Sequence, residues 1–265
     1  MNHYSFSTDK TLHLVINLEQ AVERREHIVR QAEELGFPVQ FVQAIAGKDL
    51  DCNSLPAYDR KRRMREYSCH LLPNEQGCIQ SHLKAIRTFL ETDYEYCVIN
   101  EDDVLFDPDF LGMLEEILTR TSGWECIKLW TDGRHYDVLP HHPEMKIQMT
   151  FPKKFPWEAT SILYTRAGAE KVLEGFKRYW MVYDAQWAGV CFAGNIVACG
   201  VLPAPARPDP ALCVKSNIDA DKKRTKSYEL RRNFIQWVIH RCCVLNFSTQ
   251  KKKMRRKLAR VLSVK

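Results

Sequence analysis

No stretch of this sequence approaches the roughly 18 to 20 consecutive apolar residues that a membrane-crossing helix needs. The N-terminal segment, MNHYSFSTDKTLHLVINL, lacks the basic, then apolar, then small-residue order of a secretory signal, so the chain is expected to stay in the cytoplasm. No CxxC pair occurs among its ten cysteines, which are scattered through apolar contexts. Such scatter argues against a metal or disulfide framework and for reduced, mostly buried thiols. No internal repeat and no low-complexity linker precedes residue 222. What is present, in 265 residues that are 45% hydrophobic, is enough apolar material for one substantial core with an appendage.

The formal net charge of +6 is unevenly distributed. From Lys222 to Lys265 there are fifteen Lys and Arg against one acid, Glu229, a net +14 that leaves −8 on residues 1–221. A tail of this sign is attracted to anionic polymers or to an anionic membrane, whereas an acidic body without a nucleic-acid motif argues against nucleic acid as partner. Two units follow: a folded unit over 1–221 and a basic segment over 222–265.

Hydrophobic periodicity orders the folded unit. The run Leu12–Leu18 is apolar and partly β-branched, a buried strand. Residues 20–35 carry Val22, Ile28, Val29, Ala32 and Leu35 near one helical face, with Gly36 as C-cap and Pro38 preventing continuation. A second strand over 39–45 completes a β-α-β unit. Residues 50–70 are polar and charged and read as a connecting excursion. A helix over 74–91, a strand at YCVIN (96–100), a helix after Asp107-Pro108-Asp109, strands at 124–130 and 160–165, and a helix over 167–177 follow. Residues 131–158, with four prolines, read as a long loop near a site. Alternating strands and helices predict an α/β fold with a mostly parallel sheet between helices.

Three adjacent acids, Glu101-Asp102-Asp103, stand where the YCVIN strand ends. Ligands of open α/β sheets bind beyond the carboxyl ends of strands. Strand alternation sends Glu101 and Asp103 to one side and Asp102 to the other. Paired carboxylates suit a hard divalent cation that keeps other positions for water and phosphate oxygens. The competing reading is that the trio caps the next helix, although Asp107 and Asp109 are better placed for that.

Three blocks give the sequence a family resemblance: VINLEQAVERREHI at 15–28 with QAIAGKDL at 43–50, LLPNEQGCIQSHLKAI at 71–86, and YCVINEDDVLFDPDF at 96–110. A weaker fourth block is ATSILYTRAGAEKVL at 159–173, followed by Val182-Tyr183-Asp184. In these blocks the chain resembles glycosyltransferase family 25, which includes bacterial lipopolysaccharide galactosyltransferases. The resemblance implies a GT-A-like nucleotide-sugar-binding fold and inverting transfer of a sugar, usually galactose, from a UDP-sugar to a lipid-linked oligosaccharide of the lipooligosaccharide or lipopolysaccharide core.

It further implies that the acidic triplet replaces the metal-binding DxD motif. Asp103 is then assigned to Mn2+ or Mg2+, and Glu101 or Asp102 to the metal or the donor ribose. Asn17 with its neighbour Leu18, and Arg25 on the next helix, match the N-terminal block and are candidates for the uridine and diphosphate, against the plainer reading of Arg24 or Arg25 as a solvated helix face. Gly77, Ser81 and His82 match the second block as donor-binding candidates, while a lone His on an apolar helix is also an ordinary hydrogen-bonded core residue. Asp184 is the candidate for the catalytic base or for acceptor binding, with an N-cap as the alternative. Asp209 and Asp219 are candidates for a further metal contact. An inactive glycosyltransferase-like protein, or a basic membrane- or nucleic-acid-binding module, is the competing class.

In the tail, Met254, Leu258, Val261 and Leu262 recur at i, i+4, i+7 and i+8 among Lys251, Lys252, Lys253, Arg255, Arg256 and Lys257. This basic amphipathic pattern fits a helix lying in a membrane interface, here the cytoplasmic face of the inner membrane. Truncation after Asp221 is expected to shift the protein from the membrane to the soluble fraction. Unchanged membrane recovery on cell fractionation would remove the tail from the account.

Overall fold

The computed structural model describes residues 8–52, 54–131, 136–139, 144–152, 158–193 and 196–213. The basic segment 222–265 and Asp219 lie outside the described residues. After a 3-10 turn come β1 (Thr11–Asn17), α1 (Val22–Leu35) and β2 (Gln40–Gln43). A second 3-10 turn (Gly47–Asp49) and α2 (Arg60–Tyr67) lead to α3 (Pro73–Leu90), β3 (Tyr96–Glu101), β4 (Val104–Phe106) and α4 (Phe110–Arg120). Next are β5 (Cys126–Lys128), β6 (Tyr136–Val138), β7 (Gln148–Pro152), β8 (Ser161–Thr165) and α5 (Arg166–Gly175). The described chain closes with α6 (Tyr183–Ala193), β9 (Ala198–Leu202), β10 (Ala206–Pro208) and α7 (Pro210–Cys213).

Eight strands form one mixed sheet in the order β2-β1-β3-β8-β5-β9-β7-β6. β2, β1 and β3 are mutually parallel, β5 is parallel to β9, and only β8 and β7 run against the common direction. β4 and β10 pair separately as an antiparallel ribbon. The central strands bury both faces, so successive side chains alternate between two cores. Leu12, Leu14, Ile16, Cys97 and Ile99 pack with Ile79, Leu83, Ile86 and Phe89 of α3 and with Val172 and Trp187 of α5 and α6. Val15, Val98 and Leu163 pack on the other side with Ile28 and Ala32 of α1 and with Phe110, Leu114 and Ile117 of α4. This is the expected α/β sandwich.

Three expectations are corrected. Residues 50–70 contain α2, whose Arg63 is fully buried, donates to the Cys69 carbonyl and lies over the Tyr67 ring; it is core, not an excursion. The 131–158 region supplies β6 and β7, the two strands that extend the sheet beyond β9, so it is not wholly loop. Val22 is exposed, and the buried stripe of α1 includes Gln31, whose amide donates to the Val104 carbonyl and accepts from Phe106 N–H. A satisfied polar side chain there ties α1 to β4. Cys52, Cys69, Cys78, Cys97, Cys126, Cys191 and Cys199 are free thiols, and no described helix is long and apolar enough to cross a membrane.

The approach of α3 to the loop after β2 fixes the later geometry. A methyl group at Gly77 would sit 2.4 Å from the Ile45 carbonyl oxygen, and Ser81 Oγ accepts the Ile45 N–H at 2.8 Å while donating to the Gly77 carbonyl at 2.7 Å. Backbone cannot yield as a flexible side chain can. Gly77→Ala is therefore expected to destabilise the fold by about 1–3 kcal/mol, lowering Tm by several degrees in thermal unfolding. An unchanged Tm would contradict this packing.

Candidate active site

Between the carboxyl ends of β1 and β3, the start of α1 and the flank of α3 lies an open cleft of about 590 Å³. Its walls include Leu18, Ala21 and Arg24 from the β1–α1 connection, Ala44–Lys48 from the loop after β2, and Cys78, Ser81 and His82 from α3. Glu101, Asp102 and Asp103 complete it. The position is where an α/β sheet accepts ligands.

The three acids divide between two partners, His82 for Glu101 and Arg24 for Asp102 and Asp103. β3 extends through Glu101, whose carboxylate meets His82 Nε2 at 3.2 Å on the α3 side. Asp102 turns to the α1 side, accepting from Asn17 Nδ2 at 2.9 Å and from Arg24 at 2.7 Å. Alternation then fails: the chain turns at Asp102 and Asp103, and Asp103 also lies 3.3 Å from the Arg24 guanidinium. Asp102 and Asp103 thus share one cation, whereas strand geometry had grouped Asp103 with Glu101. None of the three caps α4: Asp109 holds its N-cap position, and Asp107 Oδ1 accepts the Asp109 N–H.

Asp103 carries the electrostatic cost of this crowding. Burial, then the Glu101 charge, raise its pKa from the ordinary 3.8 to about 6 against the opposing pull of Arg24. Asn17 Oδ1, beside Asp102, is buried and has no partner among the described residues. The unpartnered Asn17 oxygen beside Asp102, with Asp103 next along the turn, is the all-oxygen donor chemistry that a hard divalent cation such as Mn2+ or Mg2+ selects.

Leu18, Ser81, His82, Glu101, Asp102 and Asp103 line one cleft, and Asn17 joins them through its hydrogen bond to Asp102. Gly77 and Ser81 shape the wall by holding the 44–47 backbone against α3. His82 is both things the sequence offered, a buried hydrogen-bonded residue and a cleft wall, its ring stacked on Tyr183 at 3.9 Å. Arg25 is not in the site: it is exposed and lies over the Phe41 ring. Arg24 takes its place, and also donates to the Leu212 carbonyl. The available signal was phase, since Arg24, Ile28, Gln31 and Leu35 fall on one helical stripe and Arg25 does not.

Asp184 is the second residue of α6, next to Tyr183, the residue under the His82 ring. Burial pushes its pKa up to about 7, against the pull of Lys128 and with Glu101 and Glu158 adding to the rise. Lys128, absent from the sequence reading, is fully buried in β5, donates to the Glu158 carbonyl, and has its pKa lowered by burial. A lysine in the middle of the apolar run Cys126–Trp130 was its signal. Asp209 does not offer its carboxylate to the acids: Oδ1 accepts Ala211 N–H and Oδ2 lies 3.4 Å from His27, while its N–H donates to the Asp103 carbonyl.

The mostly parallel mixed sheet between helices, with an acid-rimmed cleft at its strand ends, is an α/β fold consistent with the GT-A-like class. Residues 11–185 match the pattern of Glycosyltransferase family 25 (LPS biosynthesis protein), and the chain belongs to that family. It is 29% identical over 124 residues to a glycosyltransferase 25 family member of Aedes aegypti, covering 43% of this chain and 20% of that protein. It is likewise 29% identical over 121 residues to procollagen galactosyltransferase 2 of Mus musculus, covering 43% and 19%. With the lacto-N-neotetraose biosynthesis glycosyltransferase LgtE of Neisseria meningitidis it shares 32% identity over 187 residues, 65% of this chain and 62% of that one. The match thus spans about a fifth of the animal relatives' length and under two thirds of the bacterial one.

Because the folded-state pKa of Asp103 is raised, its contribution to stability is fully present below pH 3.8 and is lost as pH rises through about 6. Asp103→Asn is therefore expected to stabilise the protein at pH 8 by on the order of 2 kcal/mol and to change it little at pH 4. Urea unfolding at both pH values measures this; a loss of stability at pH 8 would show that the carboxylate is not crowded.

Proposed function

We propose that this protein is an inverting glycosyltransferase that moves a sugar, most simply galactose, from a UDP-sugar to a hydroxyl of a lipooligosaccharide or lipopolysaccharide core saccharide, forming a β linkage. The observation carrying this reading is the cleft in which Glu101, Asp102, Asp103 and Arg24 meet at the carboxyl ends of β1 and β3, with Asp184 close behind. The relatives' names supply the sugar and the acceptor class: a galactosyltransferase, and a glycosyltransferase of lacto-N-neotetraose biosynthesis. The bacterial relative covers more of this chain than the animal ones, which favours an oligosaccharide over a procollagen acceptor.

In this reading Asp103 and Glu101 hold Mn2+ or Mg2+, with Asp102 and Asn17 beside them. The ion supplies Lewis-acid stabilisation of the negative charge that grows on the leaving diphosphate. Arg24, released from the acids, adds a second positive group toward that diphosphate. Leu18 and the 44–48 backbone border the nucleoside, and Ser81 keeps that backbone in place. Asp184 accepts the proton of the acceptor hydroxyl as its oxygen bonds to the sugar's anomeric carbon; the bond to the diphosphate oxygen breaks, and UDP leaves with the electron pair. A carboxylate held near pH 7 suits that task. The basic segment 222–265 would hold the enzyme at the cytoplasmic face of the inner membrane, where a lipid-linked acceptor is presented.

Calorimetric titration of UDP is expected to give Mn2+-dependent binding in the wild type and at least tenfold weaker binding in Asp103→Asn. Equal binding in both, or none in either, would favour an inactive or purely binding protein. Asp184→Asn is expected to keep UDP binding and to lower kcat by roughly 10²–10⁴-fold. The wild-type rate should fall below about pH 7 as Asp184 takes up its proton. A flat profile between pH 5.5 and 8 would remove Asp184 as the base.

A further inference from the structure

The wall of the cleft opposite Arg24 has a different donor chemistry. Cys78 and His82 stand four residues apart on α3, hence on one face of the helix, and Glu101 reaches that face from the end of β3. A thiol sulfur, a ring nitrogen and a carboxylate oxygen lie within 4.8 Å of one another, and all three residues border the cleft. The His82 to Glu101 separation of 3.2 Å is close to the nitrogen-to-oxygen edge of about 3.3 Å expected around a tetrahedral ion with bonds near 2.05 Å.

The trio is held more firmly than a chance cluster. The His82 ring is buried and stacked on Tyr183 with an interplanar angle of 13°, which fixes the direction of its nitrogens. Ser81, the neighbour of His82, anchors this stretch of α3 to the 44–47 loop, and Gly77, the neighbour of Cys78, permits the close approach. Both ligand-bearing positions are therefore set by backbone contacts.

We propose that Cys78, His82 and Glu101 form a binding site for a borderline divalent cation, Zn2+ by chemical class, which shares only Glu101 with the all-oxygen site of Asp103 and Glu101. Sulfur and imidazole select zinc-like ions, and carboxylates with an amide oxygen select Mg2+ or Mn2+. Three protein ligands leave the fourth position of a tetrahedral ion open to the cleft, the arrangement of a site that holds water or an exchangeable ligand. As the metal–sulfur bond forms, the Cys78 thiol gives its proton to the solvent. Glu101 belongs to both sets, so zinc withdraws it from the acid cluster. On the glycosyltransferase reading, zinc then competes with the hard ion for the donor site; the zinc site itself does not depend on that reading.

The test uses Co2+ as the spectroscopic probe on the full chain without UDP. One equivalent is expected to produce a thiolate-to-cobalt charge-transfer band in the near ultraviolet. Cys78→Ser should abolish the band or weaken Co2+ binding at least tenfold, while Asp103→Asn should keep it. No band in the wild type, or a band that persists in Cys78→Ser, would overturn the proposal; a band lost in Asp103→Asn would reduce the two sites to one. Zinc-edge X-ray absorption of the wild type at one equivalent needs no variant, and one sulfur near 2.3 Å with nitrogen or oxygen for the rest is the expected shell. No sulfur, or two or more, would contradict it. Since neither readout involves the donor, failure of UDP binding and failure of the zinc site are separately visible.

Discussion

Three carboxylates in sequence at the mouth of a buried strand repel one another, and Arg24 is the group that lets them stay. At an effective dielectric near 20, two like charges 4 Å apart cost on the order of 4 kcal/mol, and Asp102 and Asp103 are mostly buried. Arg24 bridges both, and Asn17 adds a hydrogen bond to Asp102. Glu101 escapes to the other side, to His82. The neutralisation is incomplete: Asp103 keeps a raised pKa and Asn17 Oδ1 stays unpartnered among the described residues. An under-compensated cluster of this kind is what a cation and a diphosphate can complete, and its cost to stability is typical of a functional site.

The scaffold makes that cluster possible by bringing two helices to one strand end from opposite faces of the sheet. α1 delivers Arg24 because Ile28 and Ala32 are locked in one core and Gln31 is bonded to β4. α3 delivers His82 because Ile79, Leu83 and Ile86 are locked in the other and Ser81 and Gly77 fix its distance from the 44–47 loop. Tyr183 carries the same constraint onward, under His82 on one side and next to Asp184 on the other. The acid cluster and the raised carboxyl of Asp184 are thereby linked through a stack of rings, and Glu101 is felt at both Asp103 and Asp184.

Much of this was legible because burial imposes periodicity. The runs at 12–17 and 96–100, the stripe of α3 and the Gly36 stop signal all carried the pattern that their cores require. Glu101, Asp102 and Asp103 were legible because charges at a strand end have few structural uses. The failures also have physical causes. Arg25 was preferred to Arg24 by motif, although one residue is 100° of helix and only Arg24 shares the buried stripe. Asp103 was placed by strand alternation, which no longer holds once the chain turns. Residues 50–70 looked solvated because a buried arginine such as Arg63 is indistinguishable from a surface one until its carbonyl partner is known. Lys128 was hidden in the same way inside an apolar strand, its partner 30 residues away.

The most direct test of the central claim is a crystal structure of the protein with UDP and Mn2+. The account predicts the diphosphate in the cleft between β1 and β3, an ion on Asp103 and Glu101, and Arg24 swung from Asp102 and Asp103 toward phosphate oxygen. UDP bound elsewhere, or bound in the cleft with the Arg24 pairings to both acids intact, would contradict it.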